Sequence, residues 1–148
     1  TKSIYKVLES NGTSTNNVLV VASDGTNTFE FIADSASIYI IECWLNLTTS
    51  GSSGVILNIS TTGTTTSSFS ITGSSNSASA LRYEVLQYNA SSATFASFTS
   101  AGTAYAYMQG SLITPGTGGV VRIRYRDNNA GQTVYAVAGS WMRVKKIK

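Results

Sequence analysis

The stretch SIYIIECWLNLTT, Ser37 to Thr49, decides how this chain folds. It holds no Gly or Pro and is dominated by β-branched and aromatic residues, the mark of a strand. Successive side chains on a strand point to opposite faces. Tyr39, Ile41, Cys43, Leu45 and Leu47 share one face, and Ile38, Ile40, Glu42, Trp44 and Asn46 share the other. The first is a core face. The second is apolar too, though broken by Glu and Asn. A β-sandwich buries one face of each sheet, and a sheet apolar on both faces is covered on both sides. The second face therefore calls for a cover, and a neighbouring subunit is the expected one.

AYAYMQGSLITP (104–115) repeats the pattern, with Ala104, Ala106, Met108, Gly110 and Leu112 on one face and Tyr105, Tyr107, Gln109, Ser111 and Ile113 on the other. Tyrosines suit an interface at which one end of the side chain stays wet. Ile38, Ile40, Glu42, Trp44, Tyr105 and Tyr107 are thus the expected subunit-interface residues. Trp44 should matter more to assembly than Trp141, which follows a Gly-Ser turn near the end of the sequence.

The rest of the chain reads as one all-β domain over residues 1–148. Gly and Ser/Thr/Asn clusters recur every eight to twelve residues or so, as in a sandwich or barrel. Further strands are expected at 3–9, 17–23, 28–33, 54–61, 68–73, 80–89, 93–100, 118–128 and 133–148, with no helix. STTGTTTSS is expected as a loop or edge. The polar loops 50–54, 61–67, 73–79 and 89–93 are candidate contact segments.

Composition sets limits. Charged residues are 11% and hydrophobic residues 42% of the sequence, with a net charge of +3, the opposite of a disordered chain. There is no His and a single Cys, Cys43. That excludes an intramolecular disulfide and a Cys/His zinc site. Cys43, inside an apolar run, reads as a small core residue. No run approaches a transmembrane helix, no signal peptide opens the sequence, and membrane insertion is not expected. The sequence starts at Thr1, which fits removal of an initiator Met or a fragment.

Chemistry is sparse. A nucleophilic Ser needs a base such as His or Lys, but His is absent and the lysines lie at the two ends. Glu30, Glu42 and Glu84 fall on expected strands and read as ion-pair partners, not glycosidase carboxylates. There is no phosphate-binding or Asp-rich calcium loop. No enzyme, metal or cofactor is expected. Four Asn-x-Ser/Thr sequons, at Asn11, Asn46, Asn58 and Asn89, follow from the Ser/Thr content.

The closing stretch, Val120 to Lys148, carries seven of the ten basic residues. Val121, Ile123 and Tyr125 alternate with Arg122, Arg124 and Arg126, so the charge belongs to a sheet face and not to a disordered arm. A hairpin is expected, with the strand after DNNAGQ returning beside the arginine strand. Tyr125 points away from the arginines and cannot stack bases beside them, which argues against nucleic acid. Arg122, Arg124 and Arg126 are expected to contact acidic groups of a neighbouring subunit or of another protein.

This C-terminal region, with Gly110-Ser111, Gly118-Gly119 and Gly139-Ser140-Trp141 running on to Ile147, resembles that of bacteriophage virion proteins: tail-fibre heads, head fibres and minor structural proteins. NTFEFIADSASIYIIECWLNLTT, with Tyr39 opening its second strand, is similar to that family's paired strands. The segments together cover about half of the chain. The resemblance implies an antiparallel jelly-roll sandwich of the tumour-necrosis-factor and complement-head type, assembled as a homotrimer whose inner sheets meet at the axis. That would cover Ile40, Trp44, Tyr105 and Tyr107. One departure is that such relatives often carry Gln and Trp where this chain has the three arginines. The expected function is non-enzymatic, in assembly and adhesion on the outer surface of a virion. The expected partners are other virion proteins and a host surface polysaccharide. The rival expectation is a monomeric carbohydrate-binding β-sandwich module using Trp44 or Trp141 as its platform.

Overall fold

The computed structural model describes residues 3–51, 55–62, 67–77, 80–90, 92–96, 102–114 and 116–148, with backbone alone for Thr62 and 67–104. Twelve strands are described: β1 (Ser3–Val7), β2 (Val20–Val21), β3 (Glu30–Ala33), β4 (Ile38–Thr49), β5 (Val55–Thr62), β6 (Ser67–Ser77), β7 (Ala80–Ala90), β8 (Ser92–Ala96), β9 (Gly102–Ile113), β10 (Gly119–Asp127), β11 (Val134–Ala136) and β12 (Trp141–Lys146). All pairings are antiparallel. The large sheet runs β1-β12-β4-β9-β6-β7, with β11 also on β4, and the small sheet runs β2-β10-β5-β8, with β3 also on β10.

Set the β6–β7 hairpin aside and successive segments of strand alternate between the sheets, except that β5 is followed by its own neighbour β8 in the small sheet. The resulting orders, β1-β12-β4-β9 facing β2/β3-β10-β5-β8, are those of a jelly roll, in which nested Greek keys pair early strands with late ones. The hairpin extends the large sheet beyond β9.

Alternation sets the layers as the sequence indicated. Ile41, Cys43, Leu45 and Leu47 of β4 and Met142 and Val144 of β12 are buried against Val121, Ile123 and Tyr125 of β10 and Leu57 and Ile59 of β5. Phe31 of the small sheet meets Tyr39 of the large one at 5.2 Å between ring centroids. Tyr39 hydroxyl accepts from Asp34 N at 2.7 Å, fixing the turn between β3 and β4. Burial pushes the Cys43 thiol far above its ordinary pKa, consistent with a packing role.

The closing stretch departs from its expected form. It is not a hairpin: β10 lies in the small sheet between β2 and β5, whereas β11 and β12 pair with β4 in the large sheet. The expected strand 133–148 is broken at 137–140, where the chain steps from β11 to β12. Gly139 there has φ +89°, a conformation that disfavours a side chain. Ser140, buried, donates through Oγ to Val137 O at 2.8 Å and accepts from Asn46 N at 3.0 Å. The Gly-Ser-Trp run thus joins the two segments to one another and to β4.

Smaller differences concern strand extents. Of the expected strand 17–23, Val20 and Val21 form β2, and Ser23 bridges Thr28. The expected loops 73–79 and 89–93 are largely strand, with 73–77 in β6, 89–90 in β7 and 92–93 in β8. Positions 52–54, 63–66, 78–79 and 91 of the candidate loops lie outside the described residues.

Candidate functional site

Two outer sheet faces carry the residues singled out from the sequence. On the large sheet, register sets Trp141 of β12, Trp44 of β4 and Tyr107 of β9 in one row across three adjacent strands. Tyr105 lies opposite Asn46 in the next row. Trp44 stacks on Tyr105 at 4.5 Å with 12° between planes and meets Tyr107 at 6.0 Å. Tyr107 meets Trp141 edge-on at 6.4 Å, and Trp141 meets Tyr5 of β1 at 6.3 Å. The result is a continuous band of five aromatic side chains. Trp44, Tyr105 and Tyr107 fall together as the alternation indicated. Trp141 joins them, because its strand lies directly against β4 and not beside β10. Sequence alone did not place it there.

A polar row runs alongside. Arg143, Glu42 and Gln109 are in register on β12, β4 and β9. Arg143 Nη2 donates to Glu42 Oε1 at 2.7 Å, and Tyr107 hydroxyl donates to Gln109 Oε1 at 3.2 Å. The hydrogen bond to Glu42, then its charge, raises the Arg143 pKa. Partial burial, then the Glu42 carboxylate, raises that of Tyr107. Trp44 Nε1 donates to Asn46 Oδ1 at 2.9 Å. In the next row Ile40 stands between Lys145 and Ser111, and isoleucines follow. Ile38 is partly buried, and Ile40, Ile113 and Ile147 are 38%, 47% and 52% exposed.

On the small sheet, Arg122, Arg124 and Arg126 of β10 all point outward, half-buried, while Tyr125 is fully buried and donates its hydroxyl to Thr13 O at 2.6 Å. Arg122 Nε meets Glu30 Oε2 of β3 at 3.0 Å. Arg122 thus has a carboxylate partner within its own chain. Arg124 Nε donates to Asn58 Oδ1 at 3.0 Å, and Arg126 Nη1 to Asp127 O at 3.1 Å. Burial, then the charge of Arg122, lowers the Arg124 pKa.

Glu30 and Glu42 thus form ion pairs as expected, and the side chain of Glu84 lies outside the described residues. Among the described residues no group of three or more His, Cys, Asp or Glu is placed to hold a metal ion, and no helix is long and apolar enough to cross a membrane.

No family model matches the chain, and no curated protein matches it. Solved structures do. A family two carbohydrate esterase from Clostridium thermocellum, in complex with cellohexaose, is similar at 13% identity and a TM-score of 0.39, covering 82% of this chain and 33% of that one. This chain thus spans about a third of the esterase's length. The C-terminal domain of A223, a structural protein from Sulfolobus turreted icosahedral virus, aligns at 15% identity and TM-score 0.26, covering 82% and 96%. Eiger TNF from S. frugiperda aligns at 9% identity and TM-score 0.36, covering 97% and 94%. Viral structural, TNF and carbohydrate-active proteins all stand among these likenesses; the jelly-roll assignment itself rests on strand order.

Proposed function

We propose that the chain is a non-enzymatic structural protein of a bacteriophage virion, a homotrimer packed through the outer face of its large sheet. It would serve as a fibre or spike tip, or as a knob decorating the capsid, on the outer surface of the particle. The observation that carries the reading is the aromatic band from Tyr105 to Tyr5, continued beyond its polar row by Ile40, Ile113 and Ile147. Large contiguous apolar patches are rare on monomeric proteins, and buried aromatic clusters dominate interface energetics. Trimeric presentation would strengthen weak contacts with a repeating surface polymer. The test is mass in solution. Light scattering at micromolar concentration should give three times the 15.6 kDa chain mass, and a monomer would overturn the reading.

One observation favours a second reading, a monomeric carbohydrate-binding module. The row Trp141–Trp44–Tyr107 lies directly beside Arg143–Glu42–Gln109, so rings for sugar stacking border groups able to bond hydroxyls. Against it, one face of the Trp44 indole is taken up by Tyr105. A monomer that binds neutral oligosaccharides, and loses them on Trp44→Ala, would establish this alternative.

A further inference from the structure

The outer face of the small sheet presents a second kind of surface. Its three arginines are spaced two residues apart, about 6.6 Å along the strand. Three ion pairs occur among the described residues, and neither Arg124 nor Arg126 enters one. Both are nevertheless held. Asn58, 2% exposed, anchors Arg124 through Nε, which leaves both terminal nitrogens of that guanidinium for another partner. Arg126 is held through Nη1 by a backbone carbonyl. A guanidinium fixed along one edge offers the other as a ready fork for an oxyanion. The nearby pair of Arg122 and Glu30 thins the positive charge of the strip without abolishing it.

We propose that this strip binds an acidic polysaccharide, taking carboxylates of its sugar residues on Arg124 and Arg126. Charge density favours such a polymer over nucleic acid. A nucleic acid carries a phosphate on every nucleotide, and protein affinity for it rests largely on neutralising several of them at once. Two free guanidiniums beside a carboxylate fall short of that. Nor, among the described residues, does a ring beside these arginines stand ready to stack a base: Tyr125 is buried on the other side of the strand, and the cross-strand neighbours of Arg124 and Arg122 are Val21, Glu30, Asn58 and Ser60. Sparse carboxylates on a hydroxylated chain match sparse cations better. The strip lies on the opposite side of the sandwich from the aromatic band, so the proposal stands whether the chain is a trimer or a monomer.

The experiment is fluorescence anisotropy of the full chain with labelled polygalacturonate oligosaccharide. Its carboxyl-reduced neutral counterpart, poly-glutamate and a single-stranded DNA of matched length serve as comparisons. Polygalacturonate should bind at low salt and the neutral counterpart should not. The double variant Arg124→Gln/Arg126→Gln should weaken binding by about tenfold or more, as expected for loss of charge-assisted hydrogen bonds. Lys145→Gln, on the opposite face, should leave it unchanged. Arg124→Lys, which keeps the charge but loses the fork, should fall between wild type and Arg124→Gln. Absence of polygalacturonate binding, equal binding by the double variant, or equal binding of the neutral sugar would overturn the proposal. Poly-glutamate binding as tight as polygalacturonate, or DNA binding that persists at roughly 0.15 M salt, would assign the strip to protein or nucleic acid instead.

Discussion

The two outer faces of this sandwich solve one problem differently. Each is the reverse side of a sheet whose inner side is core. On the large sheet Arg143 is paired with Glu42, Lys145, exposed beside Ile40, enters no ion pair among the described residues, and the surface around them is largely aromatic or aliphatic. On the small sheet three guanidiniums stand in line and two lack a carboxylate among the described residues. Basic residues cluster in the last fifth of the sequence, yet the fold divides them between opposite sides of the molecule. Charge density along a chain is therefore a poor guide to charge density on a surface.

The largest effect should come from the aromatic face. Trp44→Ala removes the ring that meets both Tyr105 and Tyr107, and truncating a central interface aromatic typically costs roughly 2 kcal/mol or more of association. The dissociation curve by light scattering or ultracentrifugation should shift by more than tenfold. Trp141→Ala, whose ring meets Tyr107 on one side and Tyr5 at the β1 margin on the other, should shift it less. Equal curves would erase the distinction between centre and margin.

Asn58→Ala probes the other face. It deletes the buried acceptor of Arg124, and an unmet buried donor costs about 1–3 kcal/mol. Part of the guanidinium remains accessible to water, so the low end is expected, read as a lower urea midpoint with an unchanged slope. A fully neutral substitution would mean that Arg124 is not held from below.

Smaller still are the ion pairs. Glu42→Gln and Glu30→Gln each remove an exposed or half-exposed partner, and such pairs contribute about 0–1 kcal/mol. In the dissociated chain both should move the midpoint by little. In an assembly that buries the large face, Glu42→Gln should have the greater effect, because a desolvated arginine would lose its counter-charge.

The faintest signal belongs to neither face. The Asp24 carboxylate accepts backbone N–H groups of Glu9, Ser10, Thr26 and Asn27, which hold its pKa far below the ordinary 3.8, led by Asn27. A depressed folded-state pKa means that the stabilisation is present above the unfolded value and is lost as pH falls through the folded one. Asp24→Asn should therefore flatten stability against pH below about 4 and leave its slope near neutrality untouched. An unchanged acid limb would remove Asp24 from the account.

Much of this was legible in the sequence, for a definite reason. Alternation reports which side chains face the core, so Tyr39 to Leu47 and Val121 to Tyr125 were placed correctly, and Trp44, Tyr105 and Tyr107 were placed on the far side. Alternation says nothing about which sheet a strand joins. The hairpin expected at the end of the chain failed on that point, since DNNAGQ supplies a turn that serves a crossover as well as a hairpin. Trp141 was undervalued as a consequence, because its neighbour is fixed by pairing with β4, about a hundred residues earlier. The bond between Arg122 and Glu30 was hidden likewise, because cross-strand pairs depend on register between distant segments.

The pairing of β1 with β12, Ser3 opposite Lys145 and Val7 opposite Trp141, bears on how such a chain comes into being. The earliest-made strand of this sandwich finds its sheet neighbour in the latest-made of the twelve described. Until then its edge and Tyr5 stay open to other chains, and the closing of so long a loop weighs on the rate of folding. Synthesis of many copies at once would place such half-finished molecules near one another, where exposed edges pair wrongly. Removing β12, which sits between β1 and β4, should thus withhold the step that completes the large sheet.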